Sequence, residues 1–354
     1  MAFPSILNHR LSNGPSRPRV FRRLIGGSAA WIRGLLFLSL AAGLSAAPAV
    51  FTASDLPGLE ANATVMRRDP SDIIKVGNRY YVWYTKGAVF HGYDSTIWFA
   101  TSPDGRTWTE RGEVLARGGV GTWDEQSVFT PGILVAEGKY WLFFTGVPKP
   151  FSNEGNRVTK SAIGIAVADS PDGPWKKLPE NPVLRTSDDP AHFDSMRVDD
   201  ACLIVRGGRC WLYYKGRQWD NTPANTKLGV AVAERPGGPY VKSARNPIIP
   251  AGHEVLVWPR GPGVVALINS GPAGFRQTLQ YAADGVTFTR LASLPAIPGA
   301  ASAYRPEAFT DRGRGEMIAW GLSITTKPGM LPSLQRFDCD WSAVPELKRS
   351  SSPP

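Results

Sequence analysis

The sequence is poor in the residues that build disulfide, metal and nucleotide sites. Its 354 residues include only three cysteines and four histidines. A small, odd number of cysteines in a chain this long does not form a disulfide framework, so we expect free, buried thiols at Cys202, Cys210 and Cys339. The chain has no CxxC or HExxH spacing, and no GxGxxG or P-loop pattern precedes a helical segment. The sequence therefore offers no set of metal ligands and no nucleotide-binding motif.

Acidic residues are missing from the first 47 positions, which carry six arginines and then an apolar run over residues 34–47. This pattern predicts an export signal. The run is short for a membrane span and ends in small residues, which favours cleavage near Ala47 or Ala49; the alternative is a retained N-terminal anchor. We therefore divide the chain into a signal peptide (1–47), a linker (48–63), a folded domain (64–345) and a disordered tail (346–354).

Net charge gives no indication of a nucleic-acid partner. The formal charge of +10 comes largely from the six arginines of the predicted signal. The rest of the chain has no block of lysine and arginine interleaved with aromatic residues, which is the footprint expected of a nucleic-acid surface. We expect neither a nucleic-acid partner nor, once the signal is removed, a membrane partner.

Few segments of the remaining chain have the spacing of an amphipathic helix, whereas short aromatic and β-branched runs alternate with Gly, Pro and Asp turns. This pattern predicts an all-β fold. One unit recurs, a glycine turn followed by an apolar-aromatic strand, at residues 76–84, 136–144 and 206–214, with weaker copies at 261–268 and 313–320. A strand, a tight Asp-Gly or Gly-Gly turn and an aromatic residue follow the first four copies.

Five such copies predict a five-bladed β-propeller with four strands in each blade. Radial closure protects the strand edges that an open sheet would expose. The alternative is a two-sheet sandwich with coincidental turns. The longest insertions, residues 147–159 and 218–226, follow the second strand of blades two and three, where loops usually shape a binding face.

The inner strand of each blade lines the propeller axis, so its first residues should converge on one cavity. Counting back eleven residues from equivalent repeat positions finds Asp69, Phe129, Asp199, His253 and Arg305 in blades one to five. Two carboxylates and a histidine in otherwise apolar segments are costly to bury unless they are paired or used. The alternative to a catalytic cluster is an axial salt-bridge network with Arg305 and Arg68.

Such a cavity suits glycosidic-bond cleavage, in which one carboxylate activates water, a second group protonates the leaving oxygen and a third tunes that acid. Strand alternation turns Glu254 away from His253, and Asp200 away from Asp199, unless the strand bulges. We expect His253 to donate the proton and Glu254 to tune it, with the reverse as the alternative. Arg68, Trp123, Trp258, Arg305 and Glu307 are expected to bind sugar, and Glu307 is also expected to pair with Arg305.

Several of these segments resemble those of known enzymes. Arg68-Asp69-Pro70-Ser71, the third-blade Asp199 and an acidic residue in blade four resemble the five-bladed glycosidases of families 43 and 32. The segments Gly252-His253-Glu254-Val255 and 123–131 are more similar to glycoside hydrolase family 117, the α-1,3-(3,6-anhydro)-L-galactosidases that act on agar oligosaccharides.

The resemblance implies that Asp69 is the base, that Asp199 modulates the acid, that Glu254 or His253 is the acid, and that the reaction inverts the anomeric configuration. It also implies that a cation can lie near the axis, although no cofactor is expected to be required. The helical dimerisation segment of the family has little room between residues 49 and 64, so we expect a monomer or a weak dimer.

The sequence therefore predicts an exported, inverting, exo-acting hydrolase for a galactan-type oligosaccharide. Two alternatives remain open. One is another reaction on the same scaffold, by an arabinosidase, a xylosidase or a phosphorylase, the last of which would use basic residues such as Arg68, Lys215 and Arg260 around phosphate. The other is a glycan-binding propeller without activity. The presence of Asp69, Asp199 and Glu254 argues against it, because such a protein could dispense with an axial carboxylate.

Overall fold

The computed structural model describes residues 50–152, 159–306, 309 and 317–349. The predicted export signal, Glu307 and residues 350–354 lie outside this set. Within it, no helix is both long enough and apolar enough to cross a membrane. The regular secondary structure of the described chain is almost entirely β-strand, with two short 3-10 turns at Pro223–Asn225 and Trp341–Ala343 and one helix, α1 (Pro345–Arg349).

The strands follow one another along the chain as β1 (Phe51–Ser54), β2 (Met66–Arg68), β3 (Ile74–Val76), β4 (Arg79–Gly87), β5 (Ser95–Ser102), β6 (Thr109–Leu115), β7 (Ser127–Ala136), β8 (Lys139–Val147), β9 (Ala162–Ala168), β10 (Lys176–Lys177), β11 (Leu184–Arg185), β12 (Arg197–Arg206), β13 (Arg209–Arg217), β14 (Lys227–Ala233), β15 (Val241–Lys242), β16 (His253–Arg260), β17 (Gly263–Ser270), β18 (Thr278–Ala282), β19 (Thr289–Ser293), β20 (Ser302–Ala303), β21 (Trp320–Thr325) and β22 (Ser333–Cys339).

These strands form five small antiparallel sheets, which are the blades of a five-bladed β-propeller. Blade one contains β2 to β6, with β2 and β3 both paired to β4 as a divided inner strand. Blade two contains β7 to β11, blade three β12 to β15, and blade four β16 to β19. Successive inner strands lie side by side, β12 touching both β7 and β16 and β16 touching β20. The prediction of an all-β, five-bladed propeller is confirmed.

The ring closes through the N-terminal strand. Blade five has the order β20, β21, β22 and β1, in which Phe51 is registered with Cys339. The sequence pattern predicts a linker over residues 48–63, but β1 falls in that range and is the outer strand of the last blade. Joining the two ends of the chain in one blade covers an edge that would otherwise be open. The predicted tail also begins with structure, because α1 extends to Arg349.

The repeated sequence unit is the tight hairpin between the first two strands of a blade. In blades one to four it pairs Val76 with Arg79, Ala136 with Lys139, Arg206 with Arg209, and Arg260 with Gly263. In blade three the hairpin also pairs Val205 with Cys210, and Cys202, Cys210 and Cys339 are all free thiols, as expected. Cys210 is buried, whereas the other two are half-buried.

Aromatic residues of the repeat hold neighbouring blades together. Trp83 of blade one meets Trp175 of blade two edge to face, with ring centroids 5.7 Å apart. Phe143 of blade two meets Tyr240 of blade three in the same way at 5.8 Å. Trp175 and Tyr240 directly precede the outer strands β10 and β15. The aromatic residue after each Asp-Gly or Gly-Gly turn is therefore a contact between blades, which explains why the sequence repeats it.

Candidate active site

Four inner strands carry a residue with left-handed backbone near their start. These residues are Asp69, Thr130, Asp200 and Glu254, with φ between 46° and 63°. In blades two and three the residue lies within a register shift, and in blade one it lies between β2 and β3. Such backbone is uncommon outside glycine and persists only where the surrounding fold enforces it. The four residues therefore occupy one equivalent position of the propeller.

This equivalence corrects the count made from the sequence. The count aligned Asp69 with Asp199 and His253, whereas the left-handed position aligns Asp69 with Asp200 and Glu254. The difference arises because blade one has one more residue than blades two to four between this position and the hairpin. The break in alternation also has a consequence for the site, since Asp199 and Asp200 both line the same cavity, as do His253 and Glu254.

One cavity of about 250 Å³ opens where the inner strands begin. It gathers the predicted residues Arg68, Asp69, Phe129, Asp199, His253 and Glu254. Blade one adds Asp72, blade three adds Asp200 and Lys215, and blade five adds residues 300–302. The loops add His91, Tyr93 and Pro223. The two aspartates and the two blade-four groups that the sequence placed together do share one site.

Ion pairs hold three of the cavity carboxylates. Arg68 Nε lies 2.8 Å from Asp69 Oδ2, and the same arginine donates to the carbonyl of Phe90 at 3.2 Å. Lys215 Nζ contacts Asp200 Oδ2 and lies 3.6 Å from Asp199 Oδ1. Both cations of the wall are therefore bound to carboxylates.

Burial and these charges set different protonation states for the acids. Burial raises the pKa of Asp199 to about 6 despite the opposing charge of Lys215. Burial also acts to raise the pKa of Asp200, but the charge and hydrogen bond of Lys215 outweigh it and hold that pKa below its ordinary value. Asp200 is thus the more acidic member of the pair.

The pKa values of His253 and Glu254, the two blade-four groups, are shifted in opposite directions. The positive charge of Lys215, with burial next, lowers the pKa of His253 to about 4. Burial raises the pKa of Glu254, an increase that the hydrogen bond from the Ala300 amide opposes. The ring and the carboxylate are close, with His253 Nε2 4.0 Å from Glu254 Oε1. At neutral pH the imidazole is therefore uncharged, whereas the carboxyl group holds a proton more readily than an ordinary glutamate does.

Arg305 does not line the cavity, which corrects its prediction as a sugar-binding residue. Its NH1 lies 2.6 Å from Asp72 Oδ2, and the two side chains are 1% and 6% exposed. The same group donates to the Leu203 carbonyl at 3.2 Å, and the guanidinium lies over the Phe309 ring. Arg305 is part of a buried axial ion pair with Asp72, and its predicted partner Glu307 lies outside the described residues.

Trp123 is a structural residue and not part of the cavity wall. Its ring stacks on Phe144 with centroids 5.5 Å apart. The ring also covers Gly146 so closely that a Cβ there would lie 2.3 Å from it. Blade three repeats the arrangement, with Phe193 over Gly216. The residue after each aromatic ring is an aspartate that pairs with a lysine. Asp124 pairs with Lys177 at 2.5 Å, and Asp194 pairs with Lys242 at 2.6 Å.

Trp258 is likewise a core residue. It is 2% exposed, and its ring lies 6.3 Å from that of Trp341 near α1. It lies four residues beyond Glu254 along β16 and is not among the residues that line the cavity. The prediction that Trp123 and Trp258 stack on sugar is therefore wrong.

Several cavity residues were not assigned to the site from the sequence, among them Asp72, Asp200, Lys215, His91 and Tyr93. Lys215 was named only as a phosphate ligand, although a lysine that ends the apolar run of β13 was a usable signal. His91 and Tyr93 lie in the loop between β4 and β5, and no pattern marked them. Their position depends on how that loop folds over Arg68, which the sequence does not reveal.

The described residues of the cavity show neither a free cationic site for phosphate nor a grouped set of metal ligands. Arg260, the third cation of the phosphate hypothesis, ends β16 at the hairpin and does not line the cavity, while Arg68 and Lys215 are bound to carboxylates. Across the described part of the chain, no three His, Cys, Asp or Glu side chains are grouped as metal ligands. At the axis Asp72 is paired with Arg305, and we derive no step through a bound cation.

Comparisons with known proteins agree with this geometry. Residues 63–218 match the model of glycosyl hydrolases family 43. The solved structure of Zg3597, a family 117 glycoside hydrolase of the marine bacterium Zobellia galactanivorans, is 33% identical, with a TM-score of 0.72 over 82% of this chain and 90% of that chain. A family 43 enzyme from Xanthomonas citri, 15% identical over 81% of this chain and 90% of its own, shares the fold at a TM-score of 0.54. No curated protein sequence matches the chain.

The propeller and its acidic cavity define the molecule as a five-bladed glycoside hydrolase. More narrowly, the identity and coverage of Zg3597 show that the chain belongs to glycoside hydrolase family 117. The resemblance noted from the sequence is thereby confirmed.

Proposed function

We propose that this enzyme is exported and removes the terminal sugar of a galactan-type oligosaccharide with inversion of configuration. One observation carries the proposal: three carboxylates, Asp69, Asp200 and Glu254, occupy the same left-handed position of three blades around one cavity. A propeller needs no such residues for packing, and strained backbone at acidic residues is typical of functional sites.

Each carboxylate has a separate task in the proposal. Asp69, held by Arg68, activates the attacking water. Glu254 protonates the leaving oxygen, because burial raises its pKa so that it keeps a proton for transfer. Asp200 remains ionised through Lys215, and its negative charge contributes to the raised pKa of Glu254. This assignment replaces the sequence-based hypotheses that His253 donates the proton and that Asp199 modulates it.

The size of the cavity supports exo action. Its volume of about 250 Å³ is below the ~300–1,000 Å³ of sites that bind drug-sized ligands. A space of this size suits one sugar ring with the scissile bond at its mouth. The galactan specificity and the inverting outcome rest on the resemblance to family 117 and on the similarity to Zg3597.

The test is hydrolysis by the mature enzyme of a panel of marine and plant oligosaccharides, with and without phosphate. We expect a galactan-type substrate to be shortened from one end, with the released anomer identified by proton NMR as inverted. Release that requires phosphate, or preference for arabinosides or xylosides, would assign a different reaction.

Asp69→Asn is the matched variant for the base. It should lower kcat by about 10³-fold or more while leaving the binding of substrate largely intact, because the charge is used in the transition state. Asp169→Asn is the control, since Asp169 forms an exposed pair with Lys139 and its side chain is 87% exposed. Equal rates for the two variants would place the base elsewhere.

Export and oligomeric state complete the proposal. Export is supported by the arginine-rich, acid-free start of the chain and its apolar run. Fractionation of a native host culture should find the protein beyond the inner membrane with its first ~47 residues removed. Light scattering of the mature enzyme should give a monomer or a weak dimer; a stable dimer at low concentration would contradict the proposal.

A further inference from the structure

Among the described residues, Lys215 is the one lysine that lines the cavity. It lies near the end of the apolar strand β13. It follows Trp211-Leu212-Tyr213-Tyr214 on β13, all of which are buried. Its ammonium touches Asp200 and lies 3.6 Å from Asp199 Oδ1, and its side chain is only 14% exposed. An ammonium group is costly to bury unless carboxylates compensate it. The two aspartates therefore fix this charge at one place in the wall.

The fixed charge of Lys215 acts on His253 and Glu254, the two titratable groups that blade four contributes to the cavity. A protonated His253 is repelled by Lys215, and Arg68 and Arg217 add to that repulsion, while Asp200 opposes it. Glu254 also interacts with Lys215, but burial and the charges of Asp69 and Asp200 act in the other direction. The remaining titratable groups that interact with Lys215 and its two carboxylates are Tyr93, Arg197 and Arg217.

We propose that Lys215 is a positioning residue that decides which blade-four group carries the proton. Asp200 and Asp199 fix its ammonium in the cavity wall that it shares with His253 and Glu254, so that the proton to be transferred resides on Glu254. The inference rests on the proposed function for the catalytic meaning of that proton. The location of the proton itself can be measured without any substrate.

The test is an NMR titration of the ring carbons of His253 in histidine-labelled mature enzyme. Only four histidines occur in the chain, and His9 falls in the predicted signal, so His253→Gln assigns the resonance. In the unaltered enzyme the ring should titrate near pH 4. In Lys215→Met its midpoint should rise by about one pH unit or more, because a nearby positive charge has been removed.

Two further variants separate this role from a merely structural one. Lys242→Met is the matched control, because Lys242 also contacts a buried carboxylate, Asp194, but outside the cavity. It should leave the His253 titration unchanged. Lys215→Arg keeps the charge and should keep the low midpoint, which also provides a folded variant if Lys215→Met is unstable.

Kinetics provides the second arm. Lys215→Met should lower kcat by about 10-fold or more with a smaller change in KM, since the change affects proton location and not the sugar contacts. An unaltered His253 titration in folded Lys215→Met would overturn the proposal, as would a midpoint near 6.5 in the unaltered enzyme. If no oligosaccharide is hydrolysed, the proposed function fails while the titration result stands.

Discussion

The axial pair of Arg305 and Asp72 allows a quantitative test of whether Arg305 is structural. Arg305→Met removes a guanidinium that is 1% exposed and leaves the Asp72 carboxylate, 6% exposed, without its partner at 2.6 Å. It also removes the donor to the Leu203 carbonyl. Breaking a buried ion pair by removing one partner typically costs about 3–5 kcal/mol. That loss is a large part of the ~5–15 kcal/mol by which folded domains are stable.

The assay is urea unfolding of the enzyme, of both single variants and of Asp72→Asn/Arg305→Met. Because the double variant leaves no buried charge unpaired, it should be more stable than Arg305→Met alone, and the double-mutant cycle should give a coupling of about 1–3 kcal/mol. KM for the oligosaccharide should change little in Arg305→Met where the protein is folded. A loss below about 1 kcal/mol together with a large rise in KM would refute the structural role and restore Arg305 as a sugar ligand.

Other described contacts lead to three more predictions. The value of kcat/KM should fall as pH rises through the raised pKa of Glu254, which a pH profile of the enzyme and of Glu254→Gln checks, since this limb should vanish in the variant. Trp123→Ala should cost about 2–4 kcal/mol through lost packing on Phe144 and leave KM within about twofold, by urea unfolding and initial rates. Deleting the chain through Ser54 should remove the outer strand of blade five, lower Tm and promote aggregation through exposed β22, as thermal melts and light scattering would show.

Repetition made the fold predictable from the sequence. The hairpin recurs because each blade needs it between its first two strands. The aromatic residue after the outer turn recurs because it packs on the neighbouring blade, as the contacts of Trp83 with Trp175 and of Phe143 with Tyr240 show. The outer strand of blade five was not predictable in this way. It comes from the other end of the chain, so no local pattern links Phe51 to Cys339.

The site was predicted in outline and misaligned by one residue. Counting back eleven residues assumes that every blade has the same number of residues between this position and the hairpin, whereas blade one has one more. The left-handed backbone at Asp69, Asp200 and Glu254 is local geometry that composition does not encode. The aromatic predictions failed for a related reason. Whether Trp123 or Trp258 faces sugar depends on the glycines and rings that cover it from neighbouring strands, and those contacts exist only in the folded chain.

The central claim is that Glu254 donates the proton in this cavity, and a comparison of leaving groups tests it most directly. Rates of Glu254→Gln and His253→Ala are measured on the natural oligosaccharide and on an aryl glycoside of the same sugar, whose activated leaving group needs no protonation. We predict that Glu254→Gln loses about 10²–10⁴-fold on the oligosaccharide and recovers most of that loss on the aryl glycoside, while His253→Ala is affected equally on both. Recovery by His253→Ala and not by Glu254→Gln would contradict the account.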